Sequence, residues 1–229
     1  MDLSMLKHEL ASDPANLGYA GQSPMRKAEL VNAVLTSAPA VRLVSERGIM
    51  ECYADGAVID DIFLYRVAAE SWWVIVNASN RKKDVEWMQL HAVGLNVSVT
   101  DISDETYMLA LQGPQAQTIL QRLTDVDLAT VKFHTCAQAT VNGVATLLGA
   151  TGYTGEYGYE LFFPAAHATA MWNAILAAGK PEGILPCGLA ARDSLRFEPC
   201  LPLYGHEIHA RIDPISARLS WAVSFKKGD

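Results

Sequence analysis

The sequence is poor in the residues that build disulfide frameworks and metal centres. It holds four cysteines in 229 residues: Cys52, Cys136, Cys187 and Cys200. No two form a CxxC pair, and none stands at ligand spacing from a histidine. In a chain of this length that excludes a disulfide scaffold and leaves zinc without a ligand set. The thiols read as reduced and mostly buried. No run approaches the ~20 apolar residues that a membrane helix needs. The N-terminal MDLSMLKHEL lacks the hydrophobic region of a signal peptide, so the expected location is the cytoplasm. Positive charge is also short. Lys and Arg number 18 against 25 Asp and Glu, a net charge of -7. A duplex nucleic-acid binder carries a basic face, so neither nucleic acid nor membrane is an expected partner.

Apolar residues are plentiful, at 50% of the chain, enough for one large or two small cores. Residues 1–42 read as a helical N-terminal appendage. Leu3, Leu6 and Leu10 fall at helical spacing, the breaker-dense SDPANLGYAGQSP follows, and Met25–Leu35 forms a second helix pattern. From Val41 the chain alternates between strand and helix patterns. Strands are expected over Val58–Val67, Trp72–Val76, Leu95–Val99, Tyr107–Leu111 and Tyr159–Phe163. Helices are expected over Lys82–His91, Pro114–Leu123, Ala165–Ala178 and Leu189–Glu198. Asn142-Gly143, between Val131–Gln138 and Val144–Leu148, is the strongest hairpin signal in the chain. The mixture predicts an α+β fold with a mainly antiparallel sheet and packed helices.

Four segments carry chemistry. Asp60-Asp61 sits inside an apolar strand pattern, so alternation sends one carboxylate toward the core side and one away. Two readings stay open: an exposed Asp at a turn after Asp55-Gly56, or a carboxylate held in a partly dry pocket for a ligand N–H. Thr151 to Leu161 (TGYTGEYGYEL) interleaves glycines and tyrosines. Glycine permits close approach, and tyrosine offers a flat apolar face with a polar tip. The segment is neither GxGxxG nor a Walker loop, and a tight turn before a strand is the alternative. In GLAARDSLRFE, Arg192 and Arg196 share a helix face and Asp193 pairs with Arg196 at i,i+3. These are either surface ion pairs or a guanidinium set to bind a carboxylate or carbonyl. In LPLYGHEI, His206, with His209 beyond it, reads as a hydrogen-bonding side chain more readily than as a metal ligand.

Seven segments in order — GAVIDDIFLYR, VIVNASNRKKDVEW, LALQGPQAQ, TGYTGEYGYEL, GLAARDSLRFE, LPLYGHEI and ISARLSWAV — resemble the glycine cleavage system T protein (aminomethyltransferase) family. The resemblance runs from about Asp55 to Lys227. It implies the family's folate-binding domain over residues 43–229, ending before the family's C-terminal β-barrel, with residues 1–42 unmatched. The FAGW-like and DVSHM-like stretches of the family are absent. The resemblance implies tetrahydrofolate as the one-carbon acceptor and the lipoyl carrier protein (H protein) of the glycine cleavage system as partner. The implied reaction makes 5,10-methylenetetrahydrofolate and ammonia. By motif, Asp61 falls beside the reacting folate nitrogens, where it would orient and polarise one of them. Glu160 falls at the pterin edge and Arg192 on the glutamyl-tail side. Tyr153, Tyr65, Asn77 and Trp221 match further pocket positions. A folate-dependent demethylase, the folate domain of a sarcosine-type dehydrogenase, and a non-catalytic folate-binding module of the iron–sulfur assembly type share the scaffold. LPLYGHEI leans toward glycine cleavage, since the assembly relatives carry a Cys in that segment.

Overall fold

A run of β-branched and aromatic residues organises the first part of the structure. In the computed structural model, which describes residues 41–45, 48–52 and 57–222 and side chains from 57 to 221, four strands form one antiparallel sheet in chain order. They are β1 (Val41–Ser45), β2 (Gly48–Cys52), β3 (Val58–Ala68) and β4 (Ser71–Ile75). Pairing along β3 divides: Val58 to Ile62 faces β2, with Glu51 opposite Asp60, and Phe63 to Ala68 faces β4, with Tyr65 opposite Trp73. Side chains of β3 are buried at Val58, Ile59, Ile62, Leu64 and Tyr65, which is why apolar residues dominate its sequence. Ile62 and Leu64 pack with Trp72, Val74 and Val76. A 3₁₀ turn, Ala78–Asn80, leads into helix α1 (Arg81–Ala92). The chain returns at Leu203, and Ile208 and Leu219 bury Val58, whose N–H donates to Ile212 O at 3.2 Å.

These elements belong to one unit, which runs to Thr100 and resumes at Leu203; Asp101–Pro202 forms the other. The second unit contains β5 (Thr106–Gln112), α2 (Ala116–Gln121), β6 (Cys136–Val141), β7 (Val144–Gly149), β8 (Gly158–Pro164), α3 (Ala168–Gly179) and α4 (Leu189–Phe197). Its antiparallel sheet has the order β5-β8-β7-β6. Leu111, Leu148, Leu161 and Phe163 from the sheet bury Ile119 and Leu120 of α2 and Met171 and Ile175 of α3. The expected apolar stripe of α2 is therefore the packed one, although the helix is shorter than Pro114–Leu123. The fold is α+β with antiparallel sheets and packed helices, as the sequence pattern predicts. Among the described residues no helix is long and apolar enough to cross a membrane.

Three expectations fail locally. Residues 95–99 form no strand. Their alternating pattern has no partner edge, Leu95 N–H bonds back to Ala92 O, and Val97 is 42% exposed. The strand expected from Val131 begins at Cys136, because His134 takes a left-handed φ of 63° and the Thr135 hydroxyl bonds Lys132 O at 2.6 Å. Cys187 and Cys200 are exposed, not buried. Both lie in irregular segments flanking α4, and Cys200 itself has a φ of 60°. The appendage helices expected over Leu3–Leu10 and Met25–Leu35, Cys52's side chain and the Asp55-Gly56 turn lie outside the described residues.

The β6–β7 hairpin forms where Asn142-Gly143 marks it. Val141 pairs with Val144, and Asn142 and Gly143 have φ of 49° and 76°. Positive φ at both positions is the type I′ turn, whose twist matches that of the flanking strands. A Cβ at Gly143 would meet nothing within 4 Å. Gly143→Ala should therefore cost about 1–2 kcal/mol from backbone strain. A melting curve of the variant checks this, and an unchanged melting temperature would contradict it.

Candidate functional site

Two polar clusters hold the residues singled out by motif, one in each unit. In the first unit, strand alternation puts Asp60, Ile62 and Leu64 on one face of β3 and Asp61, Phe63 and Tyr65 on the other. The inward carboxylate is Asp60, only 1% exposed. It survives burial by accepting four hydrogen bonds. Oδ1 takes Asp61 N–H at 3.0 Å, Asn77 Nδ2 at 2.9 Å and Asn80 Nδ2 at 2.9 Å, and Oδ2 takes Asn77 N–H at 3.3 Å. Asn77 Nδ2 also donates to Asp61 Oδ1 at 2.8 Å and to Asp61 O at 3.2 Å. A single amide thus fixes both carboxylates. Asn77 and Asn80 sit at the N-caps of the 3₁₀ turn and of α1, yet neither side chain caps its helix. Both are turned onto Asp60 instead.

Asp84, in the first turn of α1, is buried at 4% exposure. Lys83 Nζ stands 3.2 Å from its Oδ1. That ammonium is directed at Ile59 O and lies 4.2 Å from the Tyr204 ring centroid. Neither Asp84 oxygen accepts a well-formed hydrogen bond among the described residues. The Lys83 contact is thus an ion-pair distance without hydrogen-bond alignment. Burial first, then the hydrogen bond with Asp60 and the Asp60 charge, push Asp84 up to about 8, against the opposing pull of Lys83. Burial works against the Lys83 charge, but Asp84, Tyr204 and Asp60 outweigh it and raise its pKa.

In the second unit, Glu160 lies opposite Ala110 of β5 and Gly149 of β7. Its neighbours Tyr159 and Leu161 join the core beneath α2 and α3, so alternation turns Glu160 to the other face of the sheet. The buried Thr151 hydroxyl donates to Glu160 Oε2 at 2.6 Å. Tyr153 lies on the same loop. Its hydroxyl donates to Pro202 O, and the Arg192 guanidinium stacks on its ring at 4.5 Å. The two arginines of α4 divide. Arg196 is 3% exposed and is consumed by Asp193 Oδ1 at 2.8 Å and Leu201 O at 3.2 Å. Arg192 is exposed. Among the described residues it makes no ion pair.

Two glycines of TGYTGEYGYEL lie tight against the Gln112 side chain, and a third against Pro199. A Cβ at Gly152 would come within 1.7 Å of Gln112 Oε1, and one at Gly158 within 2.4 Å of Gln112 Cδ. The loop wraps the Gln112 side chain, which donates to Thr151 O at 3.1 Å and accepts from the Thr154 hydroxyl at 3.2 Å. Gly155 has a φ of 74° and presses against Pro199.

The structure therefore brings Asp61 together with Asn77, and Tyr153 with Arg192. Tyr65 is an interior residue at 1% exposure, its ring 4.8 Å from that of Phe63. Trp221 is 54% exposed in the 3₁₀ turn Ser220–Ala222. His209 Nδ1 accepts Arg211 N–H at 3.1 Å. Sequence reasoning missed Asp60 as the buried partner of the pair, and Asn80, Asp84, Gln112 and Thr151. Asn80 and Asp84 had a legible signal: polar residues three and seven positions after Asn77, at the N-cap and in the first turn of α1.

An α+β chain with a paired-aspartate strand and a glycine-tyrosine loop before a glutamate strand defines a class, and comparison with known proteins gives the family. The family model of the GCVT N-terminal domain matches residues 28–227. The chain belongs to that family. It is 51% identical over 177 residues to an aminomethyltransferase of Anoxybacillus flavithermus, covering 77% of this chain and 48% of that protein. It is 48% identical over 184 residues to one of Herpetosiphon aurantiacus, covering 80% of this chain and 50% of that protein. Glycine cleavage system aminomethyltransferase T from Bartonella henselae superposes with a TM-score of 0.71 at 28% identity, over 87% of this chain and 53% of that one. The chain spans about half the length of the curated relatives it matches.

Two measurements test these clusters. Gly158→Ala should destabilise the protein by forcing Gln112 aside. In a double-mutant cycle with Gln112→Ala the coupling should be about 0.5–3 kcal/mol; additive losses would show that the loop does not pack on Gln112. For Asp84 the folded value, about 8, lies above the ordinary 3.8. The folded state therefore holds this proton where the unfolded chain has released it. The stabilisation is complete below the unfolded value and is lost as pH rises through the folded one. The melting temperature should fall between about pH 5 and about pH 9 more steeply in the wild type than in Asp84→Asn. Parallel curves would exclude a raised Asp84.

Proposed function

We propose that this chain binds a reduced folate and serves tetrahydrofolate-dependent aminomethyl transfer of the glycine cleavage type. Its partner would be the lipoyl carrier protein and its location the cytoplasm. Membership of the GCVT N-terminal domain family supports the class of reaction. The observation that carries the ligand assignment is Arg192: a guanidinium on an aromatic ring, with no ion pair among the described residues. Such a group binds a carboxylate bidentately, and the glutamyl tail of a folate presents one.

The other residues named by motif carry chemistry that suits parts of a reduced folate. The pterin edge offers amide-like N–H donors, and Glu160, positioned by Thr151, supplies a carboxylate acceptor for them. Tyr153 supplies a flat ring beside it. Asp61, fixed by Asn77, supplies the carboxylate that orients a folate nitrogen and raises its nucleophilicity. In the transfer itself, the carrier's S–CH2–NH2 gives up its carbon to the two folate nitrogens. Their two protons leave with the amine as ammonia and with the sulfur as the dihydrolipoyl thiol. The chain's part is to hold the acceptor in line and to place Asp61 at the proton being released.

Thermal melting with 5-formyltetrahydrofolate tests the reading. Ligand at about 100 times its Kd should stabilise the protein by about 2.7 kcal/mol. Glu160→Ala and Arg192→Ala should each weaken binding about tenfold or more, the loss of one charge-assisted contact. No shift at roughly millimolar ligand, a Kd at which affinity is negligible, would overturn the assignment. Binding with no ammonia released from aminomethylated carrier protein would favour a folate-binding module over a transferase.

A further inference from the structure

Asp84 has no place in the site as described, yet it is the most buried acid of α1 and neither of its oxygens accepts a well-formed hydrogen bond among the described residues. Oxygens that accept nothing suit a carboxylic acid better than a carboxylate, because an acid needs one acceptor and can supply its own donor. The acceptor is at hand in Asp60, whose carboxyl already takes four donors from Asp61, Asn77 and Asn80. We propose that Asp84 is a positioning residue: its O–H donates to Asp60, holds that carboxylate in the orientation that grips Asn77, and through Asn77 fixes the Asp61 carboxylate.

Printed contacts aside from the proposed one bring the first turn of α1 onto β3 at this point: Asn80 Nδ2 donates to Asp60 Oδ1 at 2.9 Å and Lys83 Nζ is directed at Ile59 O, with the buried Asp84 carboxyl beside them. From Asp60 the contacts run on: it accepts two bonds from Asn77, and Asn77 Nδ2 donates to Asp61 Oδ1 at 2.8 Å. The charged and titratable groups around Asp84 are Asp60 from β3, Lys83 from its own helix and Tyr204 beneath Lys83. Lys83 opposes the proton, and its ammonium is directed at Ile59 O. Were Asp84 ionised, two carboxylates would face one another in a dry region, and Asp60 would turn away from Asn77.

The consequence for Asp61 rests on the folate reading, whereas the contact itself does not. The test therefore has two arms on the full chain. In the first, the side-chain amide signals of Asn77 are followed by NMR in 15N-labelled protein across about pH 6 to about pH 9. They should shift with a single titration in the wild type. In Asp84→Asn the new amide donates to Asp60 in place of the O–H, so the signals should stay near their low-pH positions throughout. In Asp84→Ala they should move and broaden at every pH. Asn77 signals indifferent to both substitutions and to pH would overturn the proposal. Should Asp84→Ala fail to fold, the wild-type titration and Asp84→Asn decide it. In the second arm, Asp84→Asn should bind 5-formyltetrahydrofolate within about threefold of wild type and Asp84→Ala about tenfold or more weakly. Equal affinities would overturn the link to Asp61. If the wild type binds no folate, the proposed function fails while the NMR arm still decides the contact.

Discussion

A carboxylate inside a β-sheet is the constraint around which the first unit is built. Asp60 cannot be left unsatisfied, since an unpaired buried charge costs several kcal/mol. The local sequence answers with donors. Asn77 and Asn80 are residues well suited to cap a helix, and losing such a cap costs about 1 kcal/mol. Here both give up capping and donate to Asp60. The magnitudes explain the choice: a missing cap leaves an N–H that water or a neighbouring carbonyl can still take, whereas an abandoned buried carboxylate has no such recourse. The 3₁₀ turn between the two asparagines brings them to the same oxygen, so the chain's path from β4 into α1 follows from one side chain.

The second unit solves a related problem with an uncharged hub. Gln112 ends β5 and is enclosed by the Thr151–Gly158 loop, which offers it a carbonyl at Thr151 and a hydroxyl at Thr154. A Cβ at Gly152 or Gly158 would require the Gln112 amide to move aside. The loop in turn places Thr151 on Glu160 and Tyr153 under Arg192. Its geometry is thus set from within, by hydrogen bonds already made.

Much of this was legible in the sequence, and the failures have physical causes. The doublet Asp60-Asp61 in a strand implies two differently placed carboxylates; Asp60 is buried and Asp61 half-buried, with Asn77 donating to both. Periodicity alone does not say which of the two faces Asn77 and Asn80, because the answer depends on where α1 packs. Gly-Tyr interleaving signals a close approach, but a glycine is silent about whether a ligand or a glutamine approaches. Asn142-Gly143 specifies its hairpin because a type I′ turn is a local requirement. Val131–Thr135 reads as strand by composition and loses to the turn at Phe133-His134, and residues 95–99 alternate correctly yet lack an edge to pair with. The cysteines were expected inside on residue habit, and loop placement overrides habit at Cys187 and Cys200.

Two arginines one turn apart on α4 can serve different ends only if they are partnered differently. Arg196 is sealed in by Asp193 and by the Leu201 carbonyl. The next carbonyl, that of Pro202, receives the Tyr153 hydroxyl. The extended Leu201-Pro202 step therefore ties the end of α4 and the glycine-tyrosine loop to adjacent peptide groups. That common anchor brings the Tyr153 ring beneath Arg192 without any direct polar bond to the guanidinium. A guanidinium over a ring keeps its N–H groups free to bind. An ion pair in the same place would have positioned the side chain equally well and spent the donors that a carboxylate ligand needs.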